Sequence, residues 1–194
     1  GELILHSPVA LTPELLSAIQ MLGPVRYLVA PNSLHYWWIP GWQVAVPGAR
    51  VLAVHGLQKK AKRTFKVDRL LAGRDTPWPD EIDLLVVRSS LLTEAILFHR
   101  ASRTLILTDL IENFEPERIH GWLFKGLVRL AGIADPDGKA PIDMRWSFFR
   151  RRKALRAAVV EMLKWQPERV IFAHGRWYET NGSAELRRAF RWVL

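Results

Sequence analysis

The sequence predicts an α/β protein, mixed β-sheet covered by helices, on three observations. Strand-length and helix-length apolar patterns alternate along the chain. One pair of strand patterns is joined by a short polar turn, and no apolar run approaches the roughly 18 residues of a membrane span. Alternation favours parallel strands joined through helices, whereas a hairpin forces an antiparallel pair, so the sheet is expected to be mixed.

Each element has its own signal. Leu3-Ile4-Leu5 is a short apolar strand run, and Thr12-Pro13-Glu14 reads as a helix start: hydroxyl cap, proline in the first turn, acid near the positive end. Leu15, Leu16, Ile19 and Leu22 then recur at helical spacing until Gly23-Pro24. Val25–Ala30 is a strand that Pro31 breaks. A Trp-rich stretch over 36–46, interrupted by Pro40-Gly41, separates it from a strand at Arg50–Val54 and a short basic helix or loop at 59–65. Beyond the Pro-rich turn at 76–79, residues 82–87 form a continuous apolar strand. Residues 94–98 and 104–108 flank a polar turn and read as a hairpin. A helix is expected from Pro116 to Gly132 with Ile119, Trp122, Leu123, Leu127 and Leu130 on one face. Residues 134–144 read as a surface loop, and a second helix spans about 149–165, turning Leu155, Val159 and Met162 inward. A strand at 169–173 and a helix from about Ser183, burying Leu186, Phe190 and Val193, complete the chain. With no internal repeat or low-complexity tract, residues 1–194 are expected to form one domain.

Composition narrows the classes. An apolar share of 49% with 24% charged residues fits a globular core and excludes disordered and fibrous chains. The absence of cysteine excludes disulfides and thiolate ligands, leaving His, Asp, Glu or Asn for any metal. With no signal-peptide pattern at residues 1–8, a cytoplasmic setting is expected. Lys and Arg total 28 against 19 Asp and Glu, a net charge of +9, which attracts anionic small molecules, nucleic acid or acidic partners. The run Arg150-Arg151-Arg152-Lys153 sets cations at a helix N-terminus, against the macrodipole. It is either an anion contact or a solvated face. Trp37, Trp38 and Trp42, set beside basic segments, raise attachment to anionic membranes as a further reading.

Ligands of open α/β sheets lie beyond the carboxyl ends of strands. Three strands here run into metal-capable residues: 104–108 into Asp109, 169–173 into His174, and Val25–Ala30 into a loop ending at His35. Two imidazoles and a carboxylate suit one Zn²⁺ or Fe²⁺ with positions left for water; the same residues also serve commonly as loop polar groups or helix caps.

The phrases Leu3-Ile4-Leu5-His6-Ser7-Pro8, Val29-Ala30-Pro31-Asn32 with His35, Phe98-His99, residues 102–110 and Ala173-His174-Gly175 resemble a divergent branch of the metallo-β-lactamase superfamily, a domain of unknown function. The resemblance implies metallo-β-lactamase-like mixed sheets covered by helices, with an amino end shorter than the superfamily's usual first strands. In the superfamily a His-x-His-x-Asp-His loop, a further histidine, an aspartate and a last histidine hold two metals. Laid on this chain, the loop keeps only His35, with Asn32 and Leu34 standing at two of the ligand positions. No histidine occurs around 88–90, while Asp109 and His174 match the aspartate and the last histidine. The resemblance therefore implies one divalent ion on His35, Asp109 and His174, and a hydrolase of an anionic substrate. The rival is a catalytically inactive binding module using its basic face. Asn32, His6, His55 and Glu94 are the expected pocket residues, Glu94 as reserve ligand or general base. His99, in the hairpin turn, and His120, on a helix, are expected to stand apart from the site.

Overall fold

A computed structural model describes residues 1–194, which form two compact units, Gly1–Gly73 and Arg74–Leu194. No helix is long and apolar enough to cross a membrane.

The first unit runs β1 (Leu3–His6), α1 (Pro13–Leu22), β2 (Val25–Ala30), α2 (Ile39–Ala45), β3 (Arg50–Val54), α3 (Leu57–Lys60) and β4 (Arg69–Leu71). Its strands pair in chain order β1-β2-β3-β4, all parallel. The two inner strands are nearly all apolar and buried (Leu28, Val29 and Ala30 in β2; Val51 to Val54 in β3), as strands covered on both faces must be. Thr12 caps α1 as expected, its Oγ1 accepting from the Leu15 amide at 3.2 Å. The Trp-rich stretch is not broken at Pro40-Gly41. Pro40 sits in the first turn of α2, where a missing N–H is no loss. Trp42 is fully buried beneath it, donating from Nε1 to the Val9 carbonyl at 2.8 Å. The short strand β4 had no signal of its own.

The second unit runs β5 (Ile82–Arg88), β6 (Thr93–His99), β7 (Thr104–Ile106), β8 (Glu112–Asn113), α4 (Trp122–Ala131), α5 (Ile142–Ser147), α6 (Arg152–Lys164), β9 (Arg169–Ile171), β10 (His174–Gly175) and α7 (Gly182–Ala189). Its main sheet has the order β5-β6-β7-β9, and here the mixing predicted from the hairpin is found: β5, β6 and β7 are antiparallel neighbours, while β7 pairs parallel with β9. A parallel pair of β8 and β10 stands beside it. Helices α6 and α7 close the core, with Leu155, Val159, Met162, Leu186 and Phe190 buried as expected.

Further expectations are corrected. The helix from Pro116 is a single 3-10 turn (Pro116–Arg118). Gly121, at φ 90°, lies outside right-handed helical space, so α4 starts afresh at Trp122. His120 falls in this break, exposed and on no helix. The expected apolar face of α4 is in solvent: Trp122, Leu123, Leu127 and Leu130 are all exposed, and only Val128 is buried. Part of the expected loop over 134–144 is helical, because α5 begins at Ile142.

Candidate metal centre

Parallel register is what sets the site in the second unit. Ile106 on β7 pairs with Ile171 on β9, and three residues further along each strand stand Asp109 and His174. Equal run-out from a matched pair brings the two side chains together, with Asp109 Oδ1 3.2 Å from His174 Nε2. The Asp109 carboxylate is buried and the His174 ring part-exposed. The hydrogen bond that His174 donates to Asp109, ahead of burial, which opposes it, raises the His174 pKa above its ordinary value.

Three features fix this pair. Glu94 on β6 is fully buried, and its two oxygens accept from the backbone amides of Thr108 (2.7 Å) and Asp109 (3.1 Å), clamping the turn that presents Asp109. Burial first, and then the neighbouring Asp109 charge, lift its pKa to about 7. Phe114 stacks against the His174 ring at 6.1 Å and 23°. Gly175, at φ 92°, follows His174 in β10; a Cβ there would come within 1.9 Å of the Asn113 carbonyl oxygen, so only glycine lets β10 lie against β8. Asn113 itself is tied to Asp135, Arg176 and Gly138 through its side chain.

In the first unit, the carboxyl ends of the parallel strands β1, β2 and β3 carry His6, the loop to His35, and His55. Asn32 is fully buried, and its Oδ1 accepts from the amides of Leu34 and His35, both at 2.8 Å, folding the loop into a tight turn. Leu34 is exposed at the apex. Ser7, at φ 49°, sets its hydroxyl 2.7 Å from His35 Nδ1, which makes Nε2 the nitrogen with which His35 would ligate. His6 stays neutral: burial and the nearby His35 lower its pKa to about 4. His55 is exposed beyond β3. His99 bonds Ser102 Oγ at 2.7 Å at the turn end of β6, opposite the end that carries Glu94, as its place in the hairpin predicted.

The donor chemistry fits a metal. Ligand bonds of about 2.0–2.1 Å at a tetrahedral angle put neighbouring donors roughly 3.3 Å apart, and Asp109 and His174 already hold that spacing. Within the second unit, Asp109 and His174 thus offer a carboxylate and an imidazole from which an ion could be held. Sequence reasoning had not singled out Ser7, Phe114 or Asn113. Ser7 carried a faint signal in following His6 at a strand end, whereas Phe114 and Asn113 act through contacts far along the chain.

Comparison with known proteins shows the same fold elsewhere. The chain shares its fold with a metallo-β-lactamase from Pontibacter korlensis (TM-score 0.61, 12% identity, 97% of this chain and 79% of that one). It is likewise similar to the metallo-β-lactamase FIM-1 from Pseudomonas aeruginosa in its mono-zinc form (0.63, 10%, 98% and 77%). A third match is the metal-soaked Flv1 flavodiiron core from Synechocystis sp. PCC6803 (0.61, 13%, 98% and 49%). The protein is thus of the metallo-β-lactamase fold class. Within that class the chain belongs to the family described as Domain of unknown function (DUF4336), whose profile matches residues 1–120. No curated protein sequence matches it.

Proposed function

We propose that this chain is a hydrolase holding one divalent ion, Zn²⁺ or Fe²⁺, on His35, Asp109 and His174, and acting on an anionic small molecule. The observation that carries the reading is the Asp109–His174 pair, preset at ligand spacing by parallel register. It is supported by the mono-zinc and flavodiiron forms among proteins of the same fold. In this reading residues 1–194 act as one metallo-β-lactamase-like domain in a cytoplasmic setting, with His35 as the third ligand.

A bound divalent ion would supply Lewis acidity and acidify water near neutral pH. The chain's own residues do the rest. Ser7 holds His35 Nδ1, Glu94 holds the Asp109 turn and Phe114 fixes the plane of His174. With asparagine and leucine at positions 32 and 34, a second ion lacks its donors, so Asn32 is a loop-shaping residue. Glu94, with both oxygens on backbone amides, is a positioning residue rather than a general base. His6, neutral at physiological pH, and His55 would border the substrate.

Metal analysis of protein purified without chelators tests the proposal. Close to one equivalent of zinc or iron is expected, falling severalfold in Asp109→Asn and His174→Gln. Metal-free protein that gains none on titration would overturn it.

A binding module remains the second reading, favoured by one observation. A groove of about 830 Å³ lies in the second unit beside β5 and α6, rimmed by Arg74, Arg88, Arg151, Lys153, Arg156 and Lys164, with Glu161 the sole acid. A salt-sensitive affinity for an acidic polymer, in protein that binds no metal, would favour it.

A further inference from the structure

Helix α4 is amphipathic the wrong way round for a soluble protein. Val128 packs inward, and Phe124 leans on Phe114 at 6.5 Å. At 100° per residue, Leu123, Leu127 and Leu130 then fall on the far side of the helix, with Trp122 at its edge. They are 63%, 54%, 81% and 85% exposed. Lys125 and Arg129 border that stripe along one flank, and residues 121–132 contain no acid. The segment that follows continues the character. Arg145 of α5 reaches the Ala131 carbonyl at 3.4 Å, and Trp146 and Phe149 stand in solvent beyond it.

From this arrangement we infer that α4 is a membrane-docking helix that lies in the surface of an anionic bilayer. The chemistry selects this occupant. An apolar stripe flanked by cations, with tryptophan at the edge, matches the boundary between acyl chains and anionic headgroups. A second copy of the chain is disfavoured by charge: pairing two α4 stripes about a two-fold axis opposes Lys125 and Arg129 to their own counterparts, with no acid on the helix to answer them and a net charge of +9 on each chain. Of the tryptophans expected to attach, Trp42 is fully buried, whereas Trp37 and Trp38 are exposed with Arg63 4.1 and 5.5 Å from their rings, a smaller apolar patch than the stripe of α4. Through Phe124 and Phe114, α4 is one aromatic ring from His174, so docking would set that side of the second unit against the lipid surface.

Vesicle co-sedimentation of the full chain tests the inference, using phosphatidylcholine vesicles with and without about a third of phosphatidylglycerol. Binding to the anionic vesicles is expected, with an affinity at least about tenfold lower for neutral ones. Leu123→Glu with Leu130→Glu should reduce binding at least tenfold while leaving the melting temperature near that of the parent, because neither side chain is packed. Lys125→Glu with Arg129→Glu should abolish the preference for anionic lipid. Absence of vesicle binding would overturn the inference, and so would binding unchanged in the leucine variant. A concentration-dependent dimer lost in that variant, without lipid binding, would assign the face to a second copy instead.

Discussion

A carboxylate withdrawn from water is stable only if its oxygens are answered, and Glu94 answers both through the amides of Thr108 and Asp109. Glu94→Ala leaves two buried N–H groups unpartnered, and about 2–4 kcal/mol of stability should be lost in urea unfolding. Glu94→Gln, which keeps one acceptor oxygen, should lose less. At Gly175, replacement by alanine forces backbone against backbone at a φ that side chains avoid, so β10 must leave β8. A loss of roughly 2 kcal/mol or more is expected, with weakened metal binding, by the same melt and a zinc titration. Asp137 supplies the pH dependence. Arg191 at 2.5 Å, then Lys139 and Arg188, hold its carboxylate well below the ordinary range. A depressed acid contributes stability above its unfolded pKa and loses it as pH falls through the folded value. Asp137→Asn should therefore cost about 1 kcal/mol at pH 7, a figure already reduced for its half-exposed position. That difference should shrink as pH falls from about 4 downward. The pairing of Asp109 with His174 was legible because each follows a recognisable strand. Ser7 and Phe114 were not, since their roles depend on contacts that no local pattern encodes.

At the scale of elements, legibility followed burial. Strands β2, β3 and β5 and helices α6 and α7 matched their patterns because their apolar residues pack into a core, and packing is what periodicity records. Helix α4 has the same periodicity but presents it to solvent, which a single sequence cannot distinguish from an inward stripe. The contrast is measurable. Val128→Ala should destabilise by about 1–2 kcal/mol, whereas Leu127→Ser, on the exposed arc, should stay within about 0.5 kcal/mol. Strand β4 and helix α5 escaped notice because three and six residues are too short to show a period.

For the whole molecule, the resemblance read from scattered phrases gave the fold class, which the structural relatives bear out at 10–13% identity. Where the chain divides into two units was not legible, because the Gly73–Arg74 junction sits in a stretch of ordinary loop composition. An ion bound as proposed, on His35, Asp109 and His174, would stabilise the folded chain. Saturating zinc at about 100 times its Kd should then stabilise the protein by roughly 2.7 kcal/mol. The most direct measurement is zinc-edge X-ray absorption of the loaded protein. The expected spectrum has scattering from two imidazoles and a shell of oxygen or nitrogen near 2.0–2.1 Å, reduced to one imidazole in His35→Ala. One imidazole in the unaltered protein, or a spectrum that His35→Ala leaves unchanged, would contradict the three-residue site.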